Sequence, residues 1–411
     1  MQTHLAPEFK GTREGDEAEG VLRKCVHCGF CTATCPTYQI LGDELDGPRG
    51  RIYLIKQVLE GAQPTRATQL HLDRCLTCRN CETTCPSGVE YGKLVEIGRE
   101  IVDQRVPRSA GERAARAALK EGLTSPLFAP ALKLGQMVRP LLPAALKNKV
   151  PPPADARAHR WPTRTHPRRM LLLMGCVQPA LAPNINSATA RVLDAAGIQT
   201  LVADDAGCCG AIRTHLSDRE GGLADMRRNI DAWWPLVSQG AVEAIVMNAS
   251  GCGVMVKEYA HHLAHDPRYA ERARRISELT KDLSELLPEL VPKLKPKLRS
   301  LKTKKLAYHA PCTLQHGQQL RGDVETQLAA LGFEIQTATN EAHLCCGSAG
   351  TYSVLQPELA YQLRDRKLKN LAPLQPQAIV SANIGCIQHL QSGTATPVRH
   401  WVEVLDEAIV G

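Results

Sequence analysis

Between residues 25 and 86 the chain spells one cysteine sentence twice, CVHCGFCTATCP and then CLTCRNCETTCP, and this doubling limits the fold more than any other feature. Each run sets cysteine at its first, fourth, seventh and eleventh positions and closes on proline: Cys25, Cys28, Cys31, Cys35 and Pro36, then Cys75, Cys78, Cys81, Cys85 and Pro86. Three thiolates separated by two residues wrap a tight turn onto three corners of one iron-sulfur cubane, while the fourth is carried off by the chain and serves the other cluster. The spacing therefore predicts two [4Fe-4S] sites, Cys25, Cys28 and Cys31 with Cys85, and Cys75, Cys78 and Cys81 with Cys35. Pro36 and Pro86 lack an amide hydrogen and fix the backbone direction as it leaves the metal. Structural zinc sites also use C-x-x-C pairs, but they join one pair to a second a dozen or more residues away, which is not the spacing here.

The chain holds 16 cysteines in 411 residues, too many to be incidental. The first twenty residues contain no apolar core of the signal-peptide kind, and no segment approaches the eighteen apolar residues of a membrane span. A reducing cytoplasmic setting follows, in which cysteines are metal ligands or redox groups rather than disulfides. At 43% hydrophobic residues the chain can build ordinary cores, with aromatics at only 4%. The net charge of +8 is modest for this length. Lys and Arg are spread without interleaved aromatics, so nucleic acid is not an expected partner.

Between the two runs, Arg51 to Leu59 carries apolar residues at helical spacing behind the breakers Gly47, Pro48 and Gly50. Tyr91 to Arg105 reads as a further helix stopped by Pro107. Clusters joined by helices imply an α-helical ferredoxin-type domain over residues 1–108. Residues 109–168 form a connector. Ser109 to about Lys149 is Ala- and Leu-rich with basic residues interleaved, broken by Pro126, Pro130, Pro140 and Pro143, and Val150 to Arg169 is a Pro- and Arg-rich linker. Its prolines favour a helical connector over an amphipathic surface lying on a membrane.

Beyond the linker the chain repeats with a period near 135 residues. One copy (169–292) runs RRMLLLMGCVQP, GIQTLVADDAGCCGA and VEAIVMNASGCGVM; the other (304–411) runs KKLAYHAPCTLQ, GFEIQTATNEAHLCCGSAG and PQAIVSANIGCIQHL. Apolar runs alternate with helical stretches such as Ala188–Ala196 and Pro357–Leu371, so each copy is an α/β unit with cysteines at strand ends. Cys176 corresponds to Cys312, Cys208 and Cys209 to Cys345 and Cys346, and Cys252 to Cys386, which accounts for every remaining cysteine. Four thiols per copy are enough for a cluster, but vicinal side chains diverge along an extended backbone. A redox dithiol and an unusual cluster both stay open, set against buried small hydrophobes. The basic run Lys293–Lys305 reads as a solvated connector, with a docking patch second.

No G-x-G-x-x-G heads a βαβ unit, and no Walker loop, H-E-x-x-H or G-x-S-x-G occurs, so flavin, nicotinamide and nucleotide are not expected on this chain. His261, His262 and His265 in HHLAH read as a surface helix rather than a metal site, since no further ligand stands at a useful spacing.

A doubled cubane run, a linker and two CCG units together resemble the iron-sulfur subunits related to heterodisulfide reductase. Within that group, CVHCGFCTATCPTYQILGDELDGPRGRIYLIK is similar to the iron-sulfur subunits of bacterial glycolate oxidases. The resemblance implies a hetero-oligomer in which FAD, on partner subunits, takes a hydride from glycolate. Electrons would then pass singly through this chain to a quinone or other membrane acceptor, with the chain peripheral on the inner face of the membrane. It carries the eight N-terminal ligands over, and the CCG cysteines as candidates only. The fuller CCG pattern ends in C-x-x-C, whereas Ala249 and Asn383 stand at the first of that pair. Two other readings attach to the same group: a subunit reducing disulfides, and the iron-sulfur subunit of a glycerol-3-phosphate or lactate dehydrogenase. A docking scaffold stapled by metals is a third.

Overall fold

The computed structural model describes residues 1–141, 143 and 158–410. Its first hundred residues are helical. Thr12 caps the helix Arg13–Lys24 by accepting the Gly15 amide, and acidic residues in the first turn with basic ones in the last suit the helix dipole. Helix Pro48–Leu59 opens on a proline, which suits a first turn whose amides need no partner. These two helices pack with Tyr91–Arg105 around Leu22, Ile55, Leu59, Leu94 and Val95, all essentially without solvent exposure. Helix Arg66–Asp73, begun by a capping box between Thr65 and Thr68, closes the bundle. Among the described residues no strand precedes residue 168, as an α-helical ferredoxin-type domain requires.

Helices Ala110–Thr124 and Phe128–Val138 follow, and neither contains a fully buried residue. They match the helical expectation for this stretch, whose last part falls outside the described residues along with most of the linker.

The repeat then becomes two parallel sheets of one topology. In the first, β1 (Arg168–Leu172), β2 (Ile198–Leu201), β3 (Ile245–Met247) and β4 (Thr280–Asp282) lie in the order β2-β1-β3-β4. The second repeats it as β6-β5-β7-β8, with β5 at Lys305–Tyr308, β6 at Glu334–Thr337, β7 at Ala378–Ser381 and β8 at Val398–His400. Leu171 pairs with Ile245 in one sheet and Ala307 with Ile379 in the other. Met170, Leu171 and Leu172 are buried on both faces, the mark of a parallel strand covered by helices. In each unit the chain lays its second strand on one side of the first and its third on the other. A crevice is left at the carboxyl ends of the first and third strands, where α/β sheets hold their ligands.

The two units share one hydrophobic core and are joined by polar bonds. Helix Asn184–Ala195 packs on helix Trp401–Val410, with Arg191 Nε donating to Asp406 Oδ1 at 2.9 Å and Asn184 Nδ2 to Glu403 Oε1 at 3.0 Å. Of the basic run, Lys297 caps the Ala195 carbonyl at 2.5 Å while Lys293 and Lys304 pair with Glu289 and Glu334, so it behaves as a connector.

Candidate metal centres

Each cysteine run forms a loop followed by one short helix, Phe30–Ala33 or Asn80–Thr84. The residues flanking the second cysteine take left-handed backbone in both copies: His27 (φ 56°) and Gly29 (φ 86°), Thr77 (φ 53°) and Arg79 (φ 59°). These reversals turn three consecutive ligand positions toward one centre. Cys25, Cys28 and Cys31 line a pocket into which Cys85 also reaches, beside Ile52, Val89 and Tyr91. On the other side Cys81 is surrounded by Cys75, Cys78 and Cys35. Cys81 lines the first pocket as well, so the two groups of thiols abut.

Burial, then the neighbouring Cys25, pushes the Cys31 thiol up to about 11. Burial likewise raises Cys81 well above its ordinary value, with Cys78 and Cys75 adding to it. Thiolates are the metal-binding form, so packing four of them in apolar surroundings is costly unless a cationic group is shared among them. That donor set, all sulfur and four per site, fits a [4Fe-4S] cluster.

The surroundings of the two quartets differ. Beside the first, Cys28 is exposed, and Val26 and Phe30 are 67% and 61% exposed. The second lies under the second α/β unit: Leu76, Cys312, Cys345, Tyr352 and Leu359 make a buried apolar contact there, and Tyr352 Oη donates to the Arg74 carbonyl at 3.1 Å. Several groups reach its ligand sulfurs. The Thr77 amide and Tyr91 Oη donate to Cys75 Sγ at 3.3 and 3.5 Å, and Thr37 Oγ1 lies 3.3 Å from Cys35 Sγ. Arg51, only 1% exposed, binds Thr37 Oγ1 at 3.2 Å, Asp46 Oδ1 at 3.3 Å and the His71 carbonyl at 2.7 Å. Its charge is buried beside Cys75 and Cys35. Sequence reasoning missed Thr37, Arg51 and Tyr91. For Arg51 a signal existed, since it stands one turn before Ile55 on the buried face of its helix.

In the first α/β unit Cys176 follows β1, Cys208 and Cys209 follow β2, and Cys252 sits in the first turn of helix Ser250–Lys257 after β3. Hydrogen bonds link Cys176 to Cys208, Cys208 to Cys209 and Cys209 to Cys252 in a row. Bonds from the Cys176 and Cys209 thiols hold Cys208 down to about 3, and those two thiols are correspondingly pushed up. The second unit repeats the row through Cys312, Cys345, Cys346 and Cys386, and Cys312 also bonds Cys78 of the second quartet. The expectation that vicinal thiols diverge is corrected. Each pair sits in a turn set by a left-handed glycine, Gly210 (φ 96°) or Gly347 (φ 90°), whose amide reaches back to Cys208 Sγ at 3.5 Å or Cys345 Sγ at 3.4 Å.

The HHLAH segment is not a free surface helix. His261 pairs with Glu17 at 3.1 Å, and Arg13 donates to the His261 carbonyl at 3.0 Å, so the segment docks on the N-terminal domain.

Comparison with known proteins agrees with this layout. Residues 21–89 match the 4Fe-4S dicluster domain family, and residues 170–257 and 306–391 each match the cysteine-rich domain family. The chain is 55% identical over 410 residues to the glycolate oxidase iron-sulfur subunit of Escherichia coli (strain K12), covering 100% of this chain and 99% of that one. It is 32% identical over 409 residues to the probable glycolate oxidase iron-sulfur subunit of Bacillus subtilis (strain 168), covering 91% and 89%. Lactate utilization protein A of Geobacillus thermodenitrificans is 26% identical over 254 residues, which span 98% of that protein but 58% of this chain. With likeness running the full length of both molecules and through both cysteine systems, the chain belongs to the family of glycolate oxidase iron-sulfur subunits.

Proposed function

We propose that this chain is the electron-transfer subunit of a flavin-dependent glycolate (2-hydroxy acid) dehydrogenase, taking electrons from FAD on partner subunits and delivering them to a quinone or other membrane acceptor. The observation that carries it is the full-length likeness to the Escherichia coli subunit in a chain with two cysteine runs of cubane spacing. Two [4Fe-4S] clusters held there would each exchange one electron, matching a flavin that collects two electrons and releases them singly. Cys25, Cys28, Cys31 and Cys85 would hold one, and Cys75, Cys78, Cys81 and Cys35 the other. Around the second, Thr77, Tyr91 and Thr37 place hydrogen-bond donors on ligand sulfur, and Arg51 supplies a buried positive charge. The exposed Val26 and Phe30 offer an apolar rim for the partner that exchanges electrons with the first quartet. No helix among the described residues is long and apolar enough to cross a membrane, which suits a peripheral subunit on the cytoplasmic face.

Lactate and glycerol-3-phosphate stand as alternative substrates of the complex. The likeness to lactate utilization proteins covers little more than half of this chain, which favours glycolate.

Reconstitution tests the reading. The chain alone should not oxidise glycolate with an artificial dye. With its FAD-bearing partners it should support glycolate-dependent quinone reduction, and Cys81→Ser should abolish quinone reduction while leaving flavin reduction intact. Dye reduction by the isolated chain would contradict the assignment, and a complex active only with another hydroxy acid would move the substrate.

A further inference from the structure

We propose that His309, Cys346 and Cys386 bind one zinc ion at the carboxyl edge of the second sheet, a mononuclear site separate from the cubane quartets and absent from the first unit.

The ligand atoms of these three residues all lie within 4.8 Å of one another, and all three side chains are buried, at 2%, 1% and 7% exposure. They come from three successive strand ends. His309 directly follows β5, Cys346 lies in the loop after β6, and Cys386 sits in the first turn of helix Ile384–Gln391 after β7. That is the crevice where this sheet topology places ligands. The histidine is anchored by its backbone, its amide donating to the Val380 carbonyl at 2.8 Å and its carbonyl accepting from Ser381 Oγ at 2.9 Å. Only the ring is left to find a partner.

It finds none in the protein. His309 Nε2 is buried without a hydrogen bond. Leaving such an atom unpaired is costly, and a buried imidazole nitrogen facing two thiols is accounted for by a metal. One imidazole with two thiolates is a borderline-soft donor set that suits zinc, and three protein ligands leave the fourth position of a tetrahedron open. The surroundings are also those of an anionic thiolate centre. The Asn383 amide donates to Cys386 Sγ at 3.7 Å. Lys367, 3% exposed, is held by the Glu341 and Ala342 carbonyls with its charge beside Cys312, Cys345 and Cys346.

The first unit has the thiols but not the imidazole. Aligning Cys176 with Cys312 sets Leu173 where His309 stands, and Leu173 is buried in the core. The other close group of metal-type side chains, Asp43, Asp46 and His71, is accounted for differently, since Asp46 is already paired with Arg51 and Arg74. A zinc ion carries no electron, so electrons arriving at the second quartet would not pass into this site although Cys312 touches Cys78.

The test is metal content of the anaerobically purified, chelator-washed full chain. One zinc per chain is expected beside the roughly eight irons of two cubanes. His309→Leu and Cys386→Ser should each lower zinc at least tenfold with iron unchanged, while Cys176→Ser in the first unit should leave zinc in place. Zinc-edge absorption should show nitrogen at about 2.0–2.1 Å and sulfur at about 2.3 Å. His309→Cys guards against misfolding, since it should keep the ion and replace the nitrogen by sulfur. Wild-type protein with less than a tenth of an equivalent of zinc would overturn the proposal. So would zinc that survives both His309→Leu and Cys386→Ser, or extra iron in its place that depends on Cys346.

Discussion

Arg51 and Tyr91 belong to no motif, yet they govern the electrical setting of Cys35 and Cys75. A donor on ligand sulfur and a buried cation both stabilise the more negative, reduced state of a cluster, so removing either lowers the reduction potential. Tyr91→Phe deletes the bond to Cys75 Sγ, and the second cluster should fall on the order of tens of millivolts in a redox titration followed by electron paramagnetic resonance. Arg51→Gln should lower it further and Arg51→Lys should restore most of the loss, because lysine keeps the charge. A potential that rises, or lysine behaving like glutamine, would show that Arg51 acts only by packing. The two cysteine loops were legible in the sequence because each is set within a dozen residues. Tyr91 was not, since only the packing of the helix Tyr91–Arg105 brings its hydroxyl to Cys75, sixteen residues away.

Each α/β unit turns on one glycine after its vicinal cysteines. A Cβ on Gly347 would meet the Ala360 carbonyl oxygen at 2.4 Å, and one on Gly210 the Gly222 carbonyl at 2.9 Å, in both cases at positive φ. Neither obstacle is a flexible side-chain end. Gly347→Ala should therefore cost about 2 kcal/mol or more and lower the midpoint of thermal unfolding by several degrees, with Gly210→Ala milder. Equal stability of Gly347→Ala and wild type would refute the tight turn. Element existence was readable from periodicity: helix Pro357–Leu371 is found where it was expected. Helix Asn184–Ala195 starts four residues earlier than its apolar run, because buried Asn184, Asn186 and Ser187 occupy its inner face and polar residues carry no periodic signal. The predicted divergence of the thiol pairs failed for a related reason, since it assumed extended backbone where a left-handed glycine makes a turn.

At the scale of the molecule, the helical domain rests on both α/β units, and a histidine helps clamp the units together. His400 Nε2 donates to the Asn248 carbonyl at 2.9 Å, and burial holds the ring down to about 3. An unfolded histidine takes its proton near 6.5 and the folded one does not, so this contribution is complete above 6.5 and is lost as pH falls toward 3. Between pH 7.5 and 5.5 it removes about 1.4 kcal/mol, and His400→Gln should flatten the pH dependence of unfolding by that amount. An unchanged slope in the variant would show that His400 titrates normally. On the proposed reading, the same arrangement would give the electron path a direction. The second quartet is roofed by Leu76, Tyr352 and Leu359, whereas the first has an exposed rim of Val26 and Phe30. Truncating an apolar anchor at an interface costs about 1–2 kcal/mol or more, so Val26→Ser with Phe30→Ser should weaken binding of the FAD-bearing subunits at least about tenfold. Cluster content should not change, because neither side chain carries a ligand atom and both are largely exposed. Helix Phe128–Val138 provides the control, for it exposes Leu134 and Met137 away from either quartet. If substitutions there slow glycolate-dependent reduction of the clusters and the rim variant does not, the partner docks on that helix and the first quartet is not where electrons enter.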